Sequence, residues 1–177
     1  MNTQESVAPL MQMVVDAGLV LGGDYARPNG SRRSYLLRLD LLGSYPHVLD
    51  ACSNAIVSGF EYRSYSRLLC PLDVVPLGTA VALRTGLPLV YSRGTREAPA
   101  ADLVGAYDIG HKTLLLLNDN TWDEAARTLI PRARNVGLDV SDAVALVDVG
   151  GWSAGADLAC QTMMGIEDLL EIARLRR

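Results

Sequence analysis

Three short polar runs, each directly behind an apolar segment, hold the side chains of this chain best suited to a small polar ligand. They supply Asp73 in PLDVV, Arg93 and Arg96 in RGTR, and Asn118, Asp119, Asn120 and Thr121 in NDNTWDE. Asn118 and Asp119 are suited to sugar-type hydroxyls or a metal-bound hydroxyl, and they read equally well as a polar strand end that caps the next turn or helix. Arg93 and Arg96 could hold an anion, and they read also as a solvated loop pair. Thr121 with Glu124 forms a Thr-x-x-Glu capping box, and Asp123 places a second acidic group in the same first turn. That helix start is supplied with its own anions, so it reads as a cap. A phosphate beside Asp123 and Glu124 would meet like-charge repulsion, of order 1 kcal/mol per pair near a surface.

Nucleophilic and metal chemistry find little support. Cys52, Cys70 and Cys160 are widely spaced in apolar surroundings, which fits reduced thiols, and no histidine adjoins Cys70. His47 and His111 are the only histidines and Lys112 the only lysine, the other 15 basic residues being arginine. His111 and Lys112 stand together before an apolar strand and read as solvated turn residues. We assign no catalytic residue, no metal ligand set and no resident cofactor. Trp122 and Trp152 stand just behind strand ends and read as packing.

The elements that must position these residues emerge from periodicity. Residues 9–17 have apolar side chains at helical spacing, and GLVLGGDYARP and RRSYLLRLDLL read as two strands joined by a turn at Pro28-Asn29-Gly30. Ser44 is the expected N-cap of a helix that begins at Pro46 and ends at Gly59. A strand YSRLLC, a helix ending at Gly86, a strand over 87–92 and a loop over 93–110 come next. The unbroken apolar run 113–117 predicts a central parallel strand covered on both faces. A helix over 123–136, a strand VSDAVALVD and an amphipathic helix IEDLLEIARL complete the chain. Strand and helix alternation implies right-handed crossovers and an open, mostly parallel α/β sheet, whose ligands bind at the strands' carboxyl ends.

The chain has 177 residues, 49% hydrophobic and 20% charged, enough for one domain with one core. Net charge is −4 and the pI about 5.1, which disfavours nucleic acid and anionic membranes as partners. No Lys or Arg precedes Arg27, and no apolar stretch approaches the ~18 residues of a membrane span. The expectation is a soluble, cytoplasmic protein.

The order of segments resembles the type I phosphoribosyltransferases, and within them the orotate phosphoribosyltransferases, over about residues 18–174. GSRRSYLLRLDLLGSYPHVLDA is similar to that family's N-terminal segment, VVPLGTAVALRTGLPLVYSRG to its Pro-Leu-Ala helix, strand and basic residue, LLLLNDN to its phosphoribosyl-pyrophosphate motif, and GIEDLLEIARL to its closing helix. The resemblance implies a single phosphoribosyltransferase-type domain, with an N-terminal helix and hairpin hood over 1–43 and an α/β core over 44–177. It also implies a two-fold homodimer, in which each mobile loop reaches the neighbouring site, and a role in pyrimidine nucleotide metabolism.

Departures from the family pattern fall where that family meets phosphate. Asn118 replaces the first of two acidic residues and Asp119 retains the second. NTWDEA lacks the glycine of the phosphate-cradling turn and is about one residue short. Asp73, Val74 and Val75 stand in the glycine-containing pyrophosphate loop. The mobile-loop segment RGTREAPAADLVGAYD has Arg93 and Arg96 as its only cations, and Val149 stands where an arginine holds the carboxylated base. The expectation is an orotate-phosphoribosyltransferase-like protein that has lost phosphoribosyl transfer and acts as a binding, regulatory or assembly subunit. The alternatives are an active enzyme with an atypical site, in which Mg²⁺ accompanies phosphoribosyl pyrophosphate, and a protein that binds a neutral nucleoside or sugar. Asn118, Asp119, Asn120, Thr121, Arg93, Arg96 and Asp73 are the candidate ligand-binding residues.

Overall fold

The computed structural model describes residues 3–26, 30–95, 97–121, 124–152 and 157–175; the turn residues Pro28 and Asn29 lie outside this set. Helix α1 (Thr3–Asp16) leads into an antiparallel hairpin of β1 (Val20–Ala26) and β2 (Arg32–Leu37). The second strand stops sooner than its apolar run suggests, because Leu39–Ser44 winds into a 3-10 turn that buries Leu39 and Leu42. Tyr45 rather than Ser44 is the N-cap of α2 (Pro46–Gly59), with Pro46 in the first turn, where its missing N–H costs nothing.

The main sheet comprises β3 (Arg67–Cys70), β4 (Leu89–Ser92), β5 (Leu103–Gly105), β6 (Lys112–Asp119), β7 (Asp139–Asp148) and β8 (Ala159–Gly165). Its order is β5-β4-β3-β6-β7-β8. All neighbours are parallel except β4 and β5. The expected open α/β sheet is therefore present, with an antiparallel edge strand in the segment that the sequence presents as loop, and a further parallel strand at the other edge. Between β3 and β4 runs α3 (Val75–Thr85), which ends on Gly86 at φ 73°, a left-handed conformation that glycine adopts without a Cβ penalty. Short α4 (Pro99–Asp102) precedes β5, α5 (Glu124–Asn135) joins β6 to β7, and α6 (Ile166–Arg174) comes after β8.

Strand β6 shows why the sheet is layered. Leu114 and Leu116 join the core formed with α1, α2, α3 and α6, whereas Leu115 and Leu117 face the smaller core under α5. Period-two alternation in a strand that is apolar throughout gives each face its own hydrophobic layer. Leu116 is fully buried, so Leu116→Ala should lower unfolding free energy by about 2–5 kcal/mol in urea melts, through lost transfer energy and a residual cavity. A loss under about 1 kcal/mol would show that this layer is not the core.

Candidate functional site

Chain order runs outward from β3 to β4 and β5, then returns to place β6 on the other side of β3 before continuing outward to β7 and β8. The switch point thus lies between β3 and β6, where the divergence of successive connections leaves a crevice at the strands' carboxyl ends. A cleft of about 70 Å³ occupies it, lined by Asp73 and Val74 behind β3 and by Leu117, Asn118, Asp119 and Thr121 at the end of β6.

Asn118 is 8% exposed. Its Nδ2 donates to Asp73 Oδ2 at 3.1 Å, while its Oδ1 is buried without a hydrogen-bond partner. Asp119 Oδ1 accepts the Thr121 backbone N–H at 2.8 Å, folding the segment into an Asx turn. Asn120, 5% exposed, bridges to the next strand: Nδ2 donates to Asp148 Oδ1 at 2.7 Å, and Oδ1 accepts the Val149 N–H at 2.8 Å. The Gly150 N–H also reaches Asp148 Oδ1, at 2.8 Å. Gly151 lies so close to this segment that a Cβ there would come within 3.0 Å of Thr121 Cα and 3.1 Å of Asn120 O. Any larger residue there would press on this backbone and require it to give by a few tenths of an ångström.

The sequence-identified residues are thus partly brought together. Asp73, Asn118, Asp119 and Thr121 share the cleft, whereas Asn120 is spent on a structural clasp. Thr121 Oγ1 is buried and makes no hydrogen bond, so its half of the expected capping box is not formed; the Thr121 N–H, which the Glu124 side chain would accept in such a box, is held by the Asp119 carboxylate. Arg96, Trp122, Asp123 and the Glu124 side chain lie outside the described residues. Val149 packs against the larger core. Trp152 packs against the smaller one, its indole N–H donating to Leu158 O at 3.1 Å. Burial raises the Cys70 thiol to about 12, helped by the Asp73 charge, as suits a packing residue.

Arg93 is exposed, and the segment it opens is fastened down by Asp102. This carboxylate is 1% exposed. It accepts from Ser92 Oγ at 2.6 Å, the Thr95 N–H at 2.8 Å and Thr95 Oγ1 at 3.1 Å, and Arg132 Nε lies 3.4 Å away. Arg132 also donates to the Glu97 carbonyl, which ties the same segment to α5. Nothing in the sequence singles out Asp102; its one signal is a carboxylate directly before an apolar pair, where it is carried inward. His111 and Lys112, expected in solvent, are half-buried at the opposite end of the sheet. The His111 ring lies 3.1 Å from Ser66 Oγ, and Lys112 Nζ sits 4.6 Å from the Tyr65 ring centroid.

Among the described residues no group of three or more His, Cys, Asp or Glu side chains is placed to hold a metal ion. No described helix is long and apolar enough to cross a membrane.

No family model matches the chain. It is 23% identical over 142 residues to the orotate phosphoribosyltransferase of Archaeoglobus fulgidus, covering 78% of this chain and 80% of the relative. With that of Methanoculleus marisnigri it shares 26% identity over 145 residues, 80% of this chain and 83% of the relative. Among solved structures, Leishmania donovani UMP synthase superposes with a TM-score of 0.82 at 24% identity, over 96% of this chain but only 38% of that one. Orotate phosphoribosyltransferase from Aeropyrum pernix gives 0.76 at 19% identity, over 92% and 96% of the two chains. The chain therefore has the type I phosphoribosyltransferase fold. Its sequence is similar to that of the orotate phosphoribosyltransferases.

Burial alone would raise the Asp102 pKa, but the hydrogen bonds from Ser92 and Thr95 and the Arg132 charge hold it below the ordinary carboxylate value. Its contribution is present above the unfolded-state pKa, about 3.9, and is lost as pH falls through the lower folded value. Asp102→Asn should cost about 1.5–3 kcal/mol in urea melts at pH 7. The gap to the parent protein should stay constant down to about pH 5 and narrow below about pH 4; a gap independent of pH would show that the charge contributes nothing.

Proposed function

We propose that this protein is an orotate-phosphoribosyltransferase-like binding subunit, two-fold dimeric, that does not transfer phosphoribosyl groups. The observation that carries this reading is the closure of residues 118–121. In the resembled family the turn behind the central strand offers backbone amides and hydroxyls to a 5′-phosphate, a use that needs unpaired N–H groups at a helix start. Here the Thr121 N–H is held by Asp119, Asn120 is held by Asp148 and Val149, and Gly151 lies against the same backbone. An incoming phosphate would have to break these contacts and stand among Asp73, Asp119 and Asp148.

Two further features support the reading. Transfer from phosphoribosyl pyrophosphate depends on neutralising and positioning the departing pyrophosphate. The cleft contains Asp73 where the family has a glycine-containing loop, and its described lining includes no cation. The segment similar to the mobile catalytic loop is tied down at two internal points, Asp102 to Ser92 of β4 and the Glu97 carbonyl to Arg132 of α5. Mg²⁺ enters only as the companion of phosphoribosyl pyrophosphate, and the residue set Asp73, Asn118 and Asp119 offers it two carboxylates at most.

Incubated with orotate, phosphoribosyl pyrophosphate and Mg²⁺, the protein should release no pyrophosphate above the uncatalysed rate. Calorimetric titration with phosphoribosyl pyrophosphate and Mg²⁺ should give a Kd weaker than about 0.1 mM, or roughly 5.5 kcal/mol. Turnover, or tighter binding, would establish the active enzyme instead.

A further inference from the structure

We infer that two adjoining clefts at the amino ends of β3, β7 and β8, at the end of the sheet opposite the switch point, bind a linear alkyl polyamine, with an ammonium group in each. The site is independent of the reading given to the switch point, because it uses none of the same residues.

Both clefts lie along the segment that joins α2 to β3. The larger, about 440 Å³, is lined by the last turn of α2 and by residues 60–63. The smaller, about 240 Å³, runs between Glu61, Ser64 and Tyr65 on one side and Asp142 and Gln161 on the other. Phe60 and Glu61 line both, so the two share a wall. The carbonyls of Val57, Ser58 and Gly59 end α2 without a hydrogen bond from any described residue. The Phe60 N–H goes to Ile56 O, the Tyr62 N–H to Phe60 O, and the Arg63 N–H to Glu61 Oε1 at 3.2 Å. Such a helix end carries about half an elementary negative charge. Asp142 is half-buried and pinned through one oxygen: its Oδ2 accepts from Tyr65 OH at 2.7 Å and from Ser141 Oγ at 2.8 Å. Burial and the bond to Asp142 raise the Tyr65 pKa, so this hydroxyl keeps its proton and goes on donating. Asp142 Oδ1 has no protein partner and is open to solvent.

The unpaired atoms are thus acceptors, and the charge is uncompensated. Neither Asp142 nor Glu61 has a described Lys, Arg or His within ion-pair distance, whereas Asp24, Asp50, Asp102 and Asp157 each have an arginine. Arg63, the one cation in the lining, is drawn aside over the Tyr62 ring, 5.6 Å from its centroid. A cation is therefore favoured, and the rest of the wall decides its type. The Phe60 and Tyr65 rings stand 5.7 Å apart, with Ala143 and Ala159 beside them. This apolar and π surface suits an alkyl chain ending in ammonium groups. The only lysine of the chain already uses it, with Lys112 Nζ 4.6 Å from the Tyr65 ring centroid. The helix end and Asp142 belong to different clefts on either side of Phe60 and Glu61, so the matching ligand has two positive charges joined by an apolar spacer.

The test is a calorimetric and thermal-shift panel on the full chain at matched ionic strength, with spermidine, putrescine, butylamine and Mg²⁺. Spermidine should bind saturably and raise the Tm, with Mg²⁺ doing no more than sodium chloride. Butylamine, with a single charge, should bind about tenfold more weakly than spermidine, and putrescine should fall between them. Glu61→Gln, an exposed change, should weaken spermidine binding about threefold to tenfold, and Asp142→Asn, which keeps an acceptor for Tyr65 and Ser141, by about tenfold or more. Asp40→Asn makes the same charge change before the start of α2, at an exposed position, and should leave the affinity unchanged. Absence of saturable spermidine binding, equal stabilisation by Mg²⁺, or equal weakening by Glu61→Gln and Asp40→Asn would each overturn the proposal by reducing it to diffuse attraction toward an acidic chain. The unmodified protein and Glu61→Gln decide the matter even where Asp142→Asn does not fold. Pyrophosphate release is a separate readout, so a silent amine panel leaves the binding-subunit reading untouched.

Discussion

A strand buried on both faces delivers the residues behind it into surroundings where water is scarce, so the polar side chains that end β6 must find partners inside the protein. Four consecutive polar side chains stand behind Leu117, and the first three meet this constraint, each in its own way. Asn118 turns to β3 and takes Asp73, Asp119 turns back to its own chain and takes Thr121, and Asn120 turns to β7 and takes Asp148 and Val149. An unpaired buried donor or acceptor costs about 1–3 kcal/mol, so these bonds decide which of many loop shapes is stable. They also stitch β3, β6 and β7 together at the edge where a ligand would enter. Two atoms of this run, Asn118 Oδ1 and Thr121 Oγ1, are buried and unpaired.

The same logic acts one strand away, with a buried charge in place of buried amides. Asp102 is ringed by the Ser92 hydroxyl, the Thr95 amide and hydroxyl, and the Arg132 guanidinium. A carboxylate in that position is tolerable only while its partners stay in place, and this holds the 93–102 connection against β4 and α5. In a fold whose relatives by sequence bear the name of a transferase, the connections behind β4 and β6 are both secured by internal bonds. A site built this way is suited to holding a ligand in a fixed, preorganised crevice.

Much of the fold was legible because it rests on local pattern. The run Leu114 to Leu117 announces a doubly covered strand, Pro46 and Gly86 punctuate helices by backbone geometry, and alternation of strand and helix implies the parallel sheet. The edges were not. Leu103–Gly105 is only three residues long, and Ala159–Gly165 is built of residues with little strand preference. The site divides likewise. That Asp73, Asn118, Asp119 and Thr121 gather at strand ends is a consequence of topology alone. Their bonding is not, because Asn120 finds Asp148 through the β6 and β7 register that sets Asp119 opposite Val147, and the Thr121 N–H, which a capping box would give to Glu124, goes to the nearer Asp119 carboxylate.

The binding-subunit reading stands on residues 119–121 forming a closed turn rather than an open anion loop. Titrating inorganic phosphate into the ¹⁵N-labelled protein while monitoring the Asn120, Thr121 and Val149 amide resonances tests it most directly. These amides should show no saturable shift up to about 10 mM phosphate, an affinity ceiling of roughly 2.7 kcal/mol, and the Thr121 amide should exchange slowly with solvent. Saturable phosphate shifts centred on Thr121, or rapid exchange of its N–H, would contradict the closed turn.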